Sequence, residues 1–323
     1  MGHVIALCGG VGGAKLAFGL TRVLGPSDMT VVVNTGDDFE HLGLAISPDI
    51  DTVLYTLSGL ADRERGWGLA GETWSFLAAL RRLGGEDWFQ LGDQDLATHI
   101  DRTRRLAAGE TLSAVTAHQA ARLGVTHAVA PMSDQPLRTW VDTEAGALPF
   151  QHYFVRERSA PVAHAVRFEG VTDARPTPAF TAALARPDLD AIVICPSNPY
   201  LSVDPILAVP GIREAIAAAA APTVAISPII GGRALKGPAA KLMAELGHKP
   251  GVVAVARHYE GLIGGLILDE TDAADADAIR ALGVAACVTA TVMRTDDDRA
   301  ALAAATLDFA ASLRAGAAAR RVG

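Results

Sequence analysis

The opening residues constrain this chain's architecture more than any later stretch. An apolar run, Val4-Ile5-Ala6-Leu7-Cys8, passes directly into Gly9-Gly10-Val11-Gly12-Gly13-Ala14-Lys15-Leu16. That order predicts a buried strand, a tight turn and a helix, the opening unit of a parallel sheet covered on both faces. Four glycines in five positions let backbone approach a partner without a Cβ clash. Free N–H groups at the start of the following helix favour phosphate. Neither standard glycine fingerprint fits: Lys15 stands where the third glycine of GxGxxG belongs, and no GxxxxGK[ST] spacing can be drawn. On the loop alone two readings stay open, a nucleotide or diphosphate ligand and a tight turn that binds nothing.

The rest of the chain keeps the alternation going. A helix over 14–24 precedes a strand over 30–34, and Val53, Leu54, Leu57 and Leu60 recur at helical spacing behind Asp49, predicting a helix over 49–60. Residues 71–124 read as helical and charged with no convincing strand, an inserted segment that would lid a cleft. Strands are expected over 127–132, 191–195, 223–227, 252–256, 265–268 and 285–289, with an antiparallel hairpin at the sheet edge over 148–171. A closing helix over 297–313 and a frayed tail over 315–323 complete the reading. The expected fold class is α/β, a mostly parallel sheet with helices on both faces, in a single domain over 1–323. A chain of 323 residues, half of them apolar, has material for a large core.

Charge and cysteine usage narrow the partners. A net charge of -8 lacks the basic face of a nucleic-acid or anionic-membrane binder, which favours a small-molecule ligand. Cys8, Cys195 and Cys287 lie far apart with no CxxC pair, and read as reduced core residues of a cytoplasmic protein. Prolines 222 and 228 interrupt the alanine-rich stretch over 215–230, so no membrane span is expected, and the first apolar run has no cationic leader before it.

Turns that follow the strands hold the candidate chemistry. Asn34-Thr35-Gly36-Asp37-Asp38 presents adjacent carboxylates, and Asp49 and Asp51 follow at the next helix start. Clustered hard oxygens suit a magnesium ion on a diphosphate, although an Asp-Asp pair also caps turns. Ser197-Asn198, bracketed by Pro196 and Pro199, offers a hydroxyl and an amide to a purine edge or phosphate, or a plain turn. Gly231-Gly232-Arg233-Ala234-Leu235-Lys236-Gly237 adds two cations to a flexible loop, and Met132-Ser133-Asp134 closes another strand. On the helical segment stand Trp88, Gln90, Asp93, Asp95, His99 and Arg102, with Asp95, His99 and Arg102 spaced to share one face. No GxSxG elbow and no HExxH helix supports serine-hydrolase or zinc chemistry.

Seven segments in fixed order make the chain resemble the 2-phospho-L-lactate transferase family of factor 420 biosynthesis. They are the glycine loop, Asn34 to Asp38, Ser47-Pro48-Asp49-Ile50-Asp51-Thr52, Leu91 to His99, Pro131 to Asp134 with Pro196 to Pro199, and Ser227 to Gly232. The resemblance implies a Rossmann-like fold and a Mg²⁺-dependent transfer. A phospho-acid group (2-phospho-L-lactate, phosphoenolpyruvate or 3-phosphoglycerate) would pass from a guanosine diphospho-linked donor to 7,8-didemethyl-8-hydroxy-5-deazariboflavin, releasing GMP. It also implies a homodimer. Carried over, Asp51, Asp49, Gln90 and His99 would face the acceptor; other members carry a basic residue at the position of Gln90. Gly9, Gly10, Val11, Gly12, Gly13, Lys15, Ser133, Asp134, Ser197, Asn198, Gly231 and Gly232 would face the nucleotide. Asp37 and Asp51 would hold the metal, with Asp51, Asp37 and Asp38 as catalytic carboxylates. The other class of function in view is a nucleotide- or nucleotide-sugar-binding regulator without transfer activity, since such relatives share the first loop.

Overall fold

The computed structural model describes the backbone of residues 2–322 and the side chains of residues 2–316. Seven strands form its central sheet: β1 (His3–Cys8), β2 (Met29–Val33), β3 (Ala128–Pro131), β4 (Leu189–Ile194), β5 (Thr223–Ile226), β6 (Gly265–Leu268) and β7 (Ala285–Val288). Their spatial order is β7-β6-β5-β4-β1-β2-β3, and every neighbouring pair is parallel. Strand alternation feeds two cores at once. Ile5 and Leu7 of β1 join Val32, Ile192 and Ile194 on one face, while Val4, Ala6 and Cys8 join Val31, Val33 and Val193 on the other. Each strand is therefore apolar on both sides, as a doubly covered parallel sheet requires.

Five helices frame the carboxyl ends of β1 and β2: α1 (Gly10–Thr21), α2 (Pro48–Leu57), α3 (Ser75–Arg82), α4 (Asp93–Ala107) and α5 (Leu112–Arg122). Helix α1 begins inside the glycine loop, so the glycines form its first turn rather than a separate turn before it. Helix α2 opens on Ser47 with Pro48 in its first turn, where the missing proline N–H costs nothing. Among the described residues, the segment 71–124 contains helices and no strand, as its charge pattern predicts.

Three expectations are corrected. Residues over 252–256 are helical, within Val252–His258, because Val252, Val255, Ala256 and Tyr259 form a buried stripe at helical spacing that outweighs the β-branched composition. The stretch over 148–171 adds no hairpin to the central sheet. Instead Arg138–Thr143 pairs antiparallel with both Gly146–Pro149 and Ala163–Glu169 in a separate three-stranded sheet. The closing helix runs Asp296–Val322, past the expected end at Leu313 and through the stretch read as a frayed tail.

That closing helix packs against α1 at Gly19, where an added Cβ would lie 2.1 Å from the Arg299 carbonyl oxygen. Backbone cannot yield there as a flexible side chain would. Gly19→Ala is expected to lower stability by about 1–3 kcal/mol through overpacking, despite the roughly 1 kcal/mol that alanine gains within a helix. Denaturant unfolding measures the difference, and a more stable variant would contradict the packing described.

Candidate functional site

At β1 the chain reverses its direction of travel across the sheet: β2 and β3 lie to one side and β4 to β7 to the other. Such a reversal opens a crevice at the carboxyl ends of the strands, the usual ligand position in open α/β sheets. The glycine loop leaves β1 there, the turn over 34–38 leaves β2, and the turn over 196–199 leaves β4.

The glycines of the loop are in close contact with protein. A Cβ at Gly9 would lie 2.5 Å from the Ser202 Cβ, one at Gly12 2.3 Å from the Pro196 carbonyl oxygen, and one at Gly13 2.7 Å from Ser197 Oγ. Only Gly10 of the four needs its conformational freedom, with φ at +64°. Two loop amides are engaged as well: Gly9 N–H donates to Ser197 Oγ at 3.2 Å and Gly10 N–H to Asp49 Oδ1 at 2.8 Å. Ser197 Oγ in turn donates to the Gly9 carbonyl at 2.8 Å. The β4 turn is thus bolted onto the start of α1.

Around Asp49 a buried polar cluster assembles. Asn34 Nδ2 donates to Asp49 Oδ2 at 2.9 Å, to Asp37 Oδ1 at 3.0 Å and to the Leu201 carbonyl at 3.3 Å. Asn34 Oδ1 accepts from Gly36 N–H at 2.8 Å, which shapes the turn carrying Asp37 and Asp38. Ser47 Oγ donates to Asp38 Oδ2 at 2.8 Å, while Asp38 Oδ1 is buried with no hydrogen-bond partner. Among the described residues, none of Asp37, Asp38 and Asp49 forms an ion pair. Burial pushes Asp38 up to about 7 and Asp49 up to about 6. It lifts Asp37 well above the carboxylate range, with the neighbouring Asp49 charge adding to the rise.

Asp51, unlike these three, is ion-paired. Both its oxygens accept from the fully buried Arg102 guanidinium, Oδ2 at 3.1 Å from NH1 and Oδ1 from NH2. Arg102 NH1 also lies 3.2 Å from His99 Nδ1, His99 Nε2 lies 3.2 Å from Asp95 Oδ2, and Tyr55 Oη donates to Asp95 Oδ1 at 2.7 Å. The shared face of Asp95, His99 and Arg102 therefore docks α4 onto α2, with Gln119 of α5 completing the network at 3.3 Å from Arg102.

Other candidates are distributed around this centre. Asn198 Oδ1 caps Tyr200 N–H at 3.0 Å, leaving its Nδ2 buried and unpartnered. Ser133 bonds within its own turn to Gln135, and Asp134 accepts from Ser113 N–H at 2.7 Å at the start of α5. Gly231 N–H donates to both Asp272 oxygens at 3.0 Å, and Gly231 and Gly232 carry φ of +55° and +73°. Gln90 is exposed. Asp93 serves α3, accepting from Phe76 N–H at 3.0 Å. Lys15 Nζ reaches the Met293 carbonyl at 3.2 Å on the far side of α1. Tyr55 and Gln119 were invisible to motif reading, since neither sits in a turn after a strand.

Fold and site together define an α/β protein with a buried polar cluster at a sheet reversal. A solved structure of a Bacillus halodurans protein superposes with a TM-score of 0.62 at 19% identity, covering 95% of this chain and 99% of that one, a likeness of fold alone. A phosphoenolpyruvate transferase of Streptomyces griseus is 43% identical over 320 residues, 97% of this chain and 100% of the relative. A 2-phospho-L-lactate transferase of Methanosarcina mazei is 37% identical over 300 residues, 93% and 98% of the two chains. The family model described as 2-phospho-L-lactate transferase CofD matches residues 4–304. The chain belongs to that family and is a transferase of its type. No helix among the described residues is long and apolar enough to cross a membrane.

The raised carboxylates make stability depend on pH. Folding favours their protonated forms, so this contribution is complete below about pH 4 and is lost as pH rises through about 6 for Asp49 and about 7 for Asp38. At about 1.4 kcal/mol per pKa unit, Asp38 alone accounts for up to roughly 4 kcal/mol. Unfolding with a chelator present is expected to show lower stability at pH 8 than at pH 5, with Asp38→Asn shrinking the gap. Equal wild-type stabilities at the two pH values would contradict the burial of these charges.

Proposed function

We propose that the chain moves a phosphoenolpyruvate group from a guanosine diphospho-linked donor to 7,8-didemethyl-8-hydroxy-5-deazariboflavin, releasing GMP, in factor 420 biosynthesis. The observation that carries the reading is the family match over residues 4–304, which spans every element of the crevice. Relatives named for phosphoenolpyruvate reach 43% identity against 37% for the archaeal 2-phospho-L-lactate enzyme, which favours the enol acid over lactate or glycerate. The enzyme would work in the cytoplasm as a homodimer.

In this reading guanosine lies against the β4 turn, where the unpartnered Nδ2 of Asn198 can donate to a purine or phosphate oxygen. Gly231 and Gly232 border the same side. The helical segment 71–124 walls the acceptor, with Gln90 at its edge and His99 and Asp95 behind Asp51. The ribityl hydroxyl oxygen bonds to the donor phosphorus that carries the acid. The bond from that phosphorus to the bridging oxygen breaks, and GMP departs with the electron pair. The hydroxyl proton passes to a carboxylate, and Asp38 is the best placed, having one buried oxygen without a partner. Asp51 serves better as the anchor of Arg102 than as the base, because both its oxygens are already engaged.

Magnesium, when bound, neutralises the diphosphate charge. Among the described residues no three acidic, histidine or cysteine side chains converge as a metal cage. Magnesium commonly takes only one or two carboxylates, the rest being phosphate oxygens and water. Asp37 and Asp49, joined through Asn34 and short of positive charge, fit that demand. Asp51 fits it only if the Arg102 pair opens.

Incubating the chain with the deazaflavin, guanosine diphospho-enolpyruvate and Mg²⁺ tests the reading. GMP release that depends on the acceptor is expected, and Asp38→Asn should lower kcat by roughly 10² to 10⁴. Wild-type turnover in that variant would remove Asp38 from the proton step. No acceptor-dependent GMP would overturn the transfer itself.

A further inference from the structure

The described residues hold a second concave feature beside the carboxylate cluster. An open cleft is lined by five cations, Lys15, Arg63, Lys236, Arg294 and Arg299, against a single lining carboxylate, Asp62. Asp296 restrains two of the cations, at 3.0 Å from Arg63 and 3.2 Å from Arg299. Among the described residues Lys15, Lys236 and Arg294 form no ion pair. Arg299 is 6% exposed, and its Nε is buried with no hydrogen-bond partner. Burial, then the charges of Arg299 and Lys236, hold the Lys15 amine below the usual lysine range. Cations crowded in this way, one of them buried with an idle donor, lack an anion rather than a protein partner.

Position along the helices says which anion. Val11 and Lys15 line the cleft, one helical turn apart, while Gly12 and Gly13 face the β4 turn and Gly9 faces Ser202 and Asp49. The start of α1 therefore separates the cleft from the Ser197-Asn198 side. Thr52 and Thr56 of α2 also line the cleft, directly after Asp51 and one turn on. A ligand passing over the first turns of α1 and α2 would meet Asn198 at one end, the carboxylates in the middle and five cations at the other.

We propose that this cleft binds the phosphoacid end of the donor, its carboxylate and neighbouring phosphate, through Lys15, Arg63, Lys236, Arg294 and Arg299. The assignment rests on the transferase reading. It differs from a diphosphate cradled only by the glycine loop, two of whose amides are already engaged by Ser197 and Asp49. It makes the cleft the part of the enzyme that senses which acid the donor carries.

Calorimetric titration of the full chain with phosphoenolpyruvate alone, at low salt, tests the proposal. Binding is expected in the wild type, and the double variant Lys236→Gln with Arg294→Gln should lose about ten- to a hundredfold in affinity. Both positions are exposed, and unchanged melting confirms that the variant folds. Guanosine diphosphate should bind the variant far less impaired than phosphoenolpyruvate does. Equal binding of phosphoenolpyruvate by both proteins overturns the proposal, as does inorganic phosphate binding as tightly as phosphoenolpyruvate. Acceptor-dependent GMP release with an unchanged donor KM in the variant overturns the cleft and leaves the transferase standing. Variant-sensitive phosphoenolpyruvate binding without any GMP release in the wild type has the reverse meaning.

Discussion

Two carboxylates in one helical turn govern this site, and the fold treats them in opposite ways. Asp49 and Asp51 both sit in the first turn of α2, where the helix dipole welcomes negative charge. Asp51 is paired with a buried guanidinium, and that pair ties the helical segment to α2. Asp49 receives only neutral donors, the Gly10 amide and the Asn34 side chain, and shares its surroundings with Asp37 and Asp38. Hydrogen bonds from neutral groups offset part of the desolvation of a buried carboxylate, yet they bring no positive charge. The site is left with carboxylates short of positive charge in its middle and unbalanced positive charge in the cleft beyond Lys15. A metal-bound polyanion would answer both.

The glycine loop shows how one sequence pattern serves a structural end beside a functional one. Glycine permits close approach: at positions 12 and 13 the approaching atoms include those of Pro196 and Ser197 in the β4 turn, and at position 9 they belong to Ser202 and Asp49. This packing brings Asn198 within reach of the same crevice as Asp49, although the two lie far apart in sequence. Ligand binding and tight packing are here consecutive consequences of one requirement, that three strand ends converge.

Much of this was legible in the residues. Alternation of apolar runs with helical spacing predicted the parallel sheet, since each central strand is apolar on both faces. The Asp95, His99 and Arg102 spacing predicted a shared face, and the face is used. The strand expected over 252–256 failed because its β-branched residues lie on one buried helical stripe, where tertiary packing overrides propensity. The antiparallel sheet was misplaced because Arg138–Thr143, its middle strand, is polar at four of its six positions and lacks a clean alternation. No local signal could reveal the basic cleft: Lys15, Arg63, Lys236, Arg294 and Arg299 come from opposite ends of the chain. Nor could the sequence say that Asp51 faces an arginine while Asp49, two residues away, does not.

The account depends on buried carboxylates that hold protons near neutrality until a cation replaces them. A pH-stat titration of the full chain with Mg²⁺ at pH 6.5 measures that exchange directly, because a metal displacing protons from raised carboxylates must release them. Release of about one proton per bound metal is predicted, reflecting the proposed ligands Asp37, held well above the carboxylate range, and Asp49 at about 6. Saturable metal binding with no proton release would contradict it.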